Sequence, residues 1–312
     1  MKTVAVIDVG SNTIKTLVAQ RGEHGRVEAR FERTLEVRIS QGISGHPPRL
    51  RPDRIAAGIE AVSELHRDWR KHGPIEECAI VATSAVRDAA NGEEFLGGVE
   101  EAVGIRPVIL TGDEEARFIA EGIRQDPAIG PELERFCLAD LGGGSLEIIR
   151  FAHGQIDKAV SLQLGSVRLF EEFPPDPTGR YPGSMLDELA AHVRRDILCH
   201  DVIPYAPLVG TGGGMAVTRA MLAGKRGISF AEVASTVSLE DVKELTTELS
   251  AMTFAERLEV PGLPPGRADI FPVALTIYRT LMELAHAPAI QQSLYNLRFG
   301  IASHLLKHGY FR

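Results

Sequence analysis

The chain has 312 residues, 44% hydrophobic and 24% charged, and its 34 basic and 42 acidic side chains leave a net charge of −8. That length accommodates two domains of ordinary size, about 100–200 residues each. The acidic balance argues against nonspecific nucleic-acid binding, and no apolar run approaches the ~20 residues of a membrane span.

The first half reads β-β-β-α-β-α-β-α. Residues 4–10, VAVIDVG, form an apolar strand that ends in Asp8, one apolar residue and Gly10, then turns through Ser11 and Asn12. A second strand follows over residues 14–19. A His24-Gly25 turn leads to a third strand, which ends by Val37. A turn rich in Gly, Pro and Ser spans residues 41–48. Ile55, Ile59, Val62, Leu65 and Trp69 recur at helical spacing, which predicts an amphipathic helix over residues 52–71. A buried strand over residues 79–82 runs into residues 83–91. Another strand, residues 108–111, is closed by Gly112. Asp113 then reads as the N-cap of a helix over residues 114–124, with Glu114 and Glu115 in its first turn.

The second half repeats the opening. Residues 136–142 read FCLADLG, turn through Gly143, Gly144 and Ser145, and continue into a strand over residues 146–151 and a His153-Gly154 turn. A loop is expected over residues 173–184, a helix over 185–199 and a short strand over 207–209. Gly210-Thr211-Gly212-Gly213-Gly214 leads into a helix starting near Met215. Ser238 and Asp241 form a loose capping box. One long apolar helix is expected over residues 267–286, tolerating Pro272 near its start, then a strand over 290–296 and a helix over 300–307. The domain boundary falls between residues 125 and 136, giving domains 1–128 and 129–312. The chain begins directly in a strand with no cleavage pattern, and Cys78, Cys137 and Cys199 are widely spaced. Buried free thiols in a reducing, cytoplasmic setting are therefore expected.

The three glycine-rich turns carry the strongest functional signal. None continues into Gly-Lys-Ser/Thr, so none is a Walker loop, and Glu147 occupies the third glycine position of a dinucleotide fingerprint. Glycines still let the backbone approach an anion closely, and consecutive N–H groups form a concavity that binds phosphate. Gly210, Thr211, Gly212 and Gly213 add a second kind of anion site, a turn running into a helix N-terminus. Asp8 and Asp140 stand at strand ends beside these turns, able to hold a hydrated Mg²⁺ or Mn²⁺ against phosphate oxygens. Glu147 interrupts an apolar strand, as a cleft acid or as a solvent-facing residue of an edge strand. Glu115 either stabilises a helix dipole or orients a water. Arg87 follows a run of small residues, and either pairs with Asp88 or faces the phosphate. Arg194-Arg195 reads as exposed charge or as the lining of an anionic groove. The ten histidines show no metal-ligand spacing.

At these residues the sequence resembles the exopolyphosphatase/guanosine pentaphosphate phosphatase family, part of the acetate and sugar kinase, Hsp70 and actin superfamily. The resemblance runs through DVGSNT at residues 8–13, ATSAVRDAAN at 82–91, GDEEAR at 112–117 and DLGGGSLE at 140–147. It continues with LGSVRL at 164–169, GTGGG at 210–214 and RADI at 267–270. It implies two ribonuclease-H-like α/β domains with an interdomain active-site cleft. It also implies that Glu115 activates the attacking water, that Asp140 and Glu147 are acids working with Mg²⁺, and that Arg87 lies near the transferred phosphoryl group. Gly10, Ser11, Asn12, Gly142, Gly143, Gly144 and Ser145 would be phosphate cradles. The chain departs from the family pattern at Phe299, where an acid is usual between Arg298 and Gly300, and at Ala274, usually glycine. It resembles the short two-domain members.

The reaction expected is hydrolysis of a terminal phosphoanhydride of linear polyphosphate or guanosine pentaphosphate. A homodimer is admitted, and neither nucleic acid nor a membrane is expected as partner. A small-molecule kinase on the same fold would need an adenosine pocket at the 210–214 turn. An actin-like or nucleotide-sensing module is the non-enzymatic alternative.

Overall fold

The computed structural model describes residues 2–22, 25–43, 47–129, 134–309 and 311. His24 of the first expected turn, part of the 41–48 turn and residues 130–133 of the expected boundary lie outside them. The chain divides into two compact units, Met1–Gly130 with Tyr295–Arg312, and Pro131–Leu294.

In the first unit, β1 (Thr3–Val9), β2 (Thr13–Arg21) and β3 (Val27–Glu36) form an antiparallel meander. Helix α1 (Pro52–Trp69), β4 (Glu77–Ala82), α2 (Ser84–Asp88), α3 (Gly92–Val103), β5 (Val108–Ile109) and α4 (Gly112–Ile123) follow. The sheet order is β3-β2-β1-β4-β5, with β4 parallel to β1 and β5 parallel to β4. β1 is flanked by strands on both sides and reads as a nearly continuous apolar run because both its faces are covered. Ile55, Val62, Leu65 and Trp69 of α1 pack with Phe95 and Val99 of α3 against Ile7, Val9 and Val18.

The second unit repeats the plan. β6 (Phe136–Leu141), β7 (Leu146–Ala152) and β8 (Gln155–Leu162) form the meander, followed by α5 (Ser166–Glu172), α6 (Gly183–Cys199), β9 (Leu208–Thr211) and α7 (Gly212–Arg226). Then come β10 (Thr236–Ser238), α8 (Leu239–Ala251), α9 (Phe254–Leu258), α10 (Phe271–Leu284) and β11 (Ala289–Gln292). The order is β10-β11-β9-β6-β7-β8, with β9 parallel to β6 and β11 parallel to β9. Read from the meander, both sheets place the strands in one sequence, so the expected duplicated ribonuclease-H-like α/β fold is present. Among the described residues, the antiparallel edge strand β10 is the addition in the second unit.

Three expectations are corrected locally. The α4 cap is Thr111, not Asp113: its side chain accepts from the Glu114 amide while the Glu114 carboxylate accepts from the Thr111 N–H. The expected 267–286 helix is broken. Residues Pro265–Arg267 form a 3-10 turn, and α10 starts at Phe271 with Pro272 in its first turn, where a missing N–H leaves no bond unmade. The three thiols are free, but Cys199 is exposed; Cys137 is buried, and burial pushes its thiol up to about 12.

The C-terminal segment departs most from the expected division. The helix expected over 300–307 is α11 (Leu297–His308), and it packs on α4 and β1 of the first unit. Glycine allows that approach. A Cβ on Gly300 would collide with the Phe118 carbonyl, and one on Gly122 with the Asn296 carbonyl. Arg298 anchors the helix start, donating to Thr16 O at 2.7 Å and to Glu32 Oε2 at 2.9 Å. Phe299, at the position of the family's acid, is buried in this unit.

Candidate active site

The parallel strands of the first unit end side by side, and their C-terminal ends gather the predicted residues. The turn after β1 is closed by the Gly10 amide donating to Thr13 O at 3.1 Å, and Thr83 N donates to Val9 O at 3.2 Å. Ser11 Oγ lies 3.0 Å from Ser84 Oγ. The backbone carbonyl of Asn12 accepts from Val37 N and Arg38 N. Its side chain is 6% exposed, and neither the amide oxygen nor the nitrogen has a hydrogen-bond partner. A buried amide left unpaired is costly, which marks this turn as built to receive polar atoms.

Arg87 lies on α2, just past β4. Its Nη1 donates to Glu115 Oε2 at 2.9 Å and to Leu110 O at 2.9 Å, while Nε stands 3.7 Å from Asp88 Oδ1. The expected pairing with Asp88 is therefore present, and Arg87 also holds Glu115. Glu115 is buried on the first turn of α4. The adjacent acids have separate tasks: Glu114 is spent on the cap with Thr111, and Glu115 reaches Arg87.

Asp8 stands directly opposite Lys15 in the β1–β2 register. Burial pushes its carboxyl above the usual value, against the opposing pull of Lys15 and Arg298. Lys15 was not among the expected site residues. The signal was the hairpin register, which sets the fourth residue beyond Ser11 across from the acid.

In the second unit the Gly142 amide donates to Ser145 O at 2.9 Å, the counterpart of the bond closing the first hairpin turn. Asp140 is in register with Glu147 on one side and Thr211 on the other, and Glu147 with Ser161. A polar row therefore crosses β9, β6, β7 and β8. Glu147 is 2% exposed and accepts from Ser161 Oγ at 2.7 Å, and β7 lies between two strands. The edge-strand reading of Glu147 is thereby excluded. The start of α5 buttresses the turn: Val167 N and Arg168 N donate to Gly143 O, and Arg168 Nε donates to Gly144 O. Gly210 belongs to β9, Thr211 caps α7 with extended backbone, and Gly212 has φ +85°, a left-handed conformation that favours glycine. Gly213 lies under the Arg267 guanidinium. That arginine opens the RADI motif at residues 267–270, to which no role at the site was given.

Each unit thus collects its own share of the predicted residues: Asp8, Gly10, Ser11, Asn12, Arg87 and Glu115 in the first, and Asp140, Gly142–Ser145, Glu147 and residues 210–213 in the second. The sequence profile of the Ppx/GppA phosphatase family matches residues 17–308. The chain belongs to that family. Exopolyphosphatase 1 of Mycobacterium tuberculosis is 28% identical over 303 residues, covering 96% of this chain and 86% of that one. Among solved structures, an exopolyphosphatase from Cytophaga hutchinsonii superposes with TM-score 0.87 at 22% identity, covering 99% of both chains. An exopolyphosphatase-like protein superposes with TM-score 0.83 at 25% identity, over 98% of this chain and 99% of that one. Family membership makes the chain a phosphatase-type enzyme and sets aside the kinase and the non-enzymatic sensor.

Among the described residues no group of three or more His, Cys, Asp or Glu side chains is placed to hold a metal ion. Asp140 and Glu147 are register partners on neighbouring strands, with Thr211 in register on the other side of Asp140, and all three offer hard oxygens. Such a set fits a cation that keeps several waters and completes its shell with phosphate oxygens. No helix among the described residues is long and apolar enough to cross a membrane.

Proposed function

We propose that this protein is an exopolyphosphatase, hydrolysing the terminal phosphoanhydride of linear polyphosphate and releasing inorganic phosphate. The observation that carries the reading is the Arg87–Glu115 contact at 2.9 Å beside the first glycine turn. It joins a permanent cation suited to phosphoryl oxygens with a buried carboxylate suited to water. The name of the mycobacterial relative supports polyphosphate as the substrate.

Phosphoryl transfer needs in-line positioning and charge neutralisation more than covalent chemistry. Glu115 aligns the attacking water and takes its proton, and Arg87 holds Glu115 in place while neutralising phosphoryl oxygens. Each unit offers its own turn to phosphate: the Ser11 and Asn12 amides with the Asn12 side chain in the first, and the Gly143, Gly144 and Ser145 amides in the second. Lys15 and Arg267 add positive charge beside the two turns. Asp140 and Glu147 would hold Mg²⁺ or Mn²⁺, which when bound supplies further neutralisation of phosphate charge. Asp8 occupies the corresponding strand position in the first unit.

Phosphate release from polyphosphate, guanosine pentaphosphate and ATP, measured side by side, tests the reading. Fastest turnover on polyphosphate is expected. Turnover confined to guanosine pentaphosphate would move the substrate assignment, and release from none of the three would overturn the function.

A further inference from the structure

Helix α6 has two faces of opposite character. Leu186, Leu189, Val193 and Ile197 turn into the core of the second unit, where α6 packs on α10. The other face carries Asp187, Glu188, Ala191, Arg194, Arg195 and Leu198, all exposed. At about 100° per residue these six fall within about 60° either side of Ala191. Beside them runs an open groove whose far wall is Arg279 and Glu283 of α10.

The charges on this face are ordered. Acids stand three and four residues before Ala191, and arginines three and four residues after it. The helix dipole does not account for them, since the first turn of α6 holds no acid and the last turn no base. Intrahelical pairing does not either, because the acids and arginines are too far apart along the helix to meet. Arg194 Nη2 lies 3.5 Å from Glu283 Oε2, and Arg195 Nη2 lies 3.1 Å from His192 Nδ1. Each guanidinium has further N–H groups to offer.

We propose that a second copy of this chain docks on this face, its α6 antiparallel to the first about a two-fold axis at Ala191. That axis sets Asp187 and Glu188 of each copy beside Arg194 and Arg195 of the other, so unlike charges face each other and every pair is made twice. The alanine methyls at the axis let the two backbones approach closely. Leu198, 48% exposed, comes over Ser184 of the second copy. A parallel pairing would set acid on acid and arginine on arginine, which selects the antiparallel one. Helix α6 has 17 residues and is about 26 Å long, and one helix pair falls short of a standard interface. The dimer is therefore reversible and weakened by salt.

Sedimentation velocity of the full chain over a range of concentrations tests this. The wild type should pass from monomer to dimer as concentration rises, and return toward monomer at high salt. Asp187→Arg with Glu188→Arg sets arginines against arginines, and Arg194→Glu with Arg195→Glu sets acids against acids. Either double variant should stay monomeric with a melting temperature close to wild type. All four changes together restore unlike charges across the axis and should restore the dimer. Ala191→Cys in a Cys199→Ser background should give a disulfide-linked dimer on oxidation with diamide. A wild type monomeric at every concentration would overturn the proposal and leave the groove to a small anion. A dimer that survives in either double variant, no recovery in the fourfold variant, or no cross-link through position 191 would overturn it too. Phosphate release plays no part in the readout, so the outcome is separate from that of the function proposed above.

Discussion

Arg87 Nη1 lies 2.9 Å from Glu115 Oε2 and 2.9 Å from the Leu110 carbonyl oxygen. One guanidinium therefore links the segment after β4 to the start of α4 and sets where the buried carboxylate stands. Glu115→Gln keeps the shape and removes the proposed base. Phosphate release is expected to fall by ~10²–10⁴-fold with substrate binding largely retained. Steady-state kinetics with a separate binding measurement checks this, and near-normal turnover would return Glu115 to a helix-dipole role.

Arg87→Lys tests the fork itself. An ammonium can meet the carboxylate or the carbonyl, but it does not reproduce the planar geometry that serves both. We expect kcat to fall by roughly ten- to a hundredfold, with a smaller effect on KM. Equal losses for Arg87→Lys and Arg87→Ala would confirm geometry as the requirement, whereas full activity with lysine would reduce the requirement to charge.

The repeated hairpins were legible because an apolar strand ending in Asp-x-Gly is a strong local pattern, and the two copies reinforce each other. The duplicated sheets followed from it. What stayed hidden depends on register and on contacts distant in sequence. Lys15 faces Asp8, and Ser161 meets Glu147, only through strand pairing. Arg267 and Tyr278 reach the α7 turn from segments far along the chain. The return of α11 to the first unit was hidden too, because its glycine contacts with α4 leave no local pattern. The Thr111 cap had a signal, Thr-x-x-Glu, which was masked by three acids in a row at residues 113–115.

Gly300→Ala should be among the most damaging small substitutions in the first unit. The added methyl would meet the backbone carbonyl of Phe118, which cannot move aside as a side-chain tip can. Overpacking of this kind costs about 1–3 kcal/mol or more. A lowered denaturation midpoint is expected, with Gly122→Ala behaving alike. Wild-type stability for both variants would mean that α4 and α11 separate freely.

The raised pKa of Asp8 sets a direction for stability against pH. Burial lifts the folded value above 3.8, so the folded state holds the proton more tightly than the unfolded chain. Below the unfolded pKa both states carry the proton and no penalty exists. Stability is lost as the pH rises through the folded value, and above it the loss is constant. Asp8→Asn should therefore melt higher than wild type at pH 7, with the gain vanishing below about pH 4. Melting curves at the two pH values check it, and a variant less stable at pH 7 would show that Lys15 and Arg298 outweigh the desolvation.

Metal dependence follows from the donor set on the second sheet. Asp140 and Glu147 stand in register on neighbouring strands, and two carboxylates so placed repel each other and any phosphate brought to the turn. Arg267 lies against Gly213 of the same turn, but a protein at −8 has no favourable net field to draw in a polyanion. A hard divalent cation that retains waters resolves the conflict, and oxygen donors favour Mg²⁺ or Mn²⁺ over zinc. Activity should disappear in excess EDTA and return with added Mg²⁺. Asp140→Asn should raise the Mg²⁺ concentration needed for half-maximal rate, because one of the two proposed anionic ligands is gone. Glu147→Gln should do the same, and it should also weaken the hold of Ser161 on that side chain. Rates unchanged by EDTA, with both variants matching wild type, would make the pair structural and leave neutralisation to Lys15, Arg87 and Arg267.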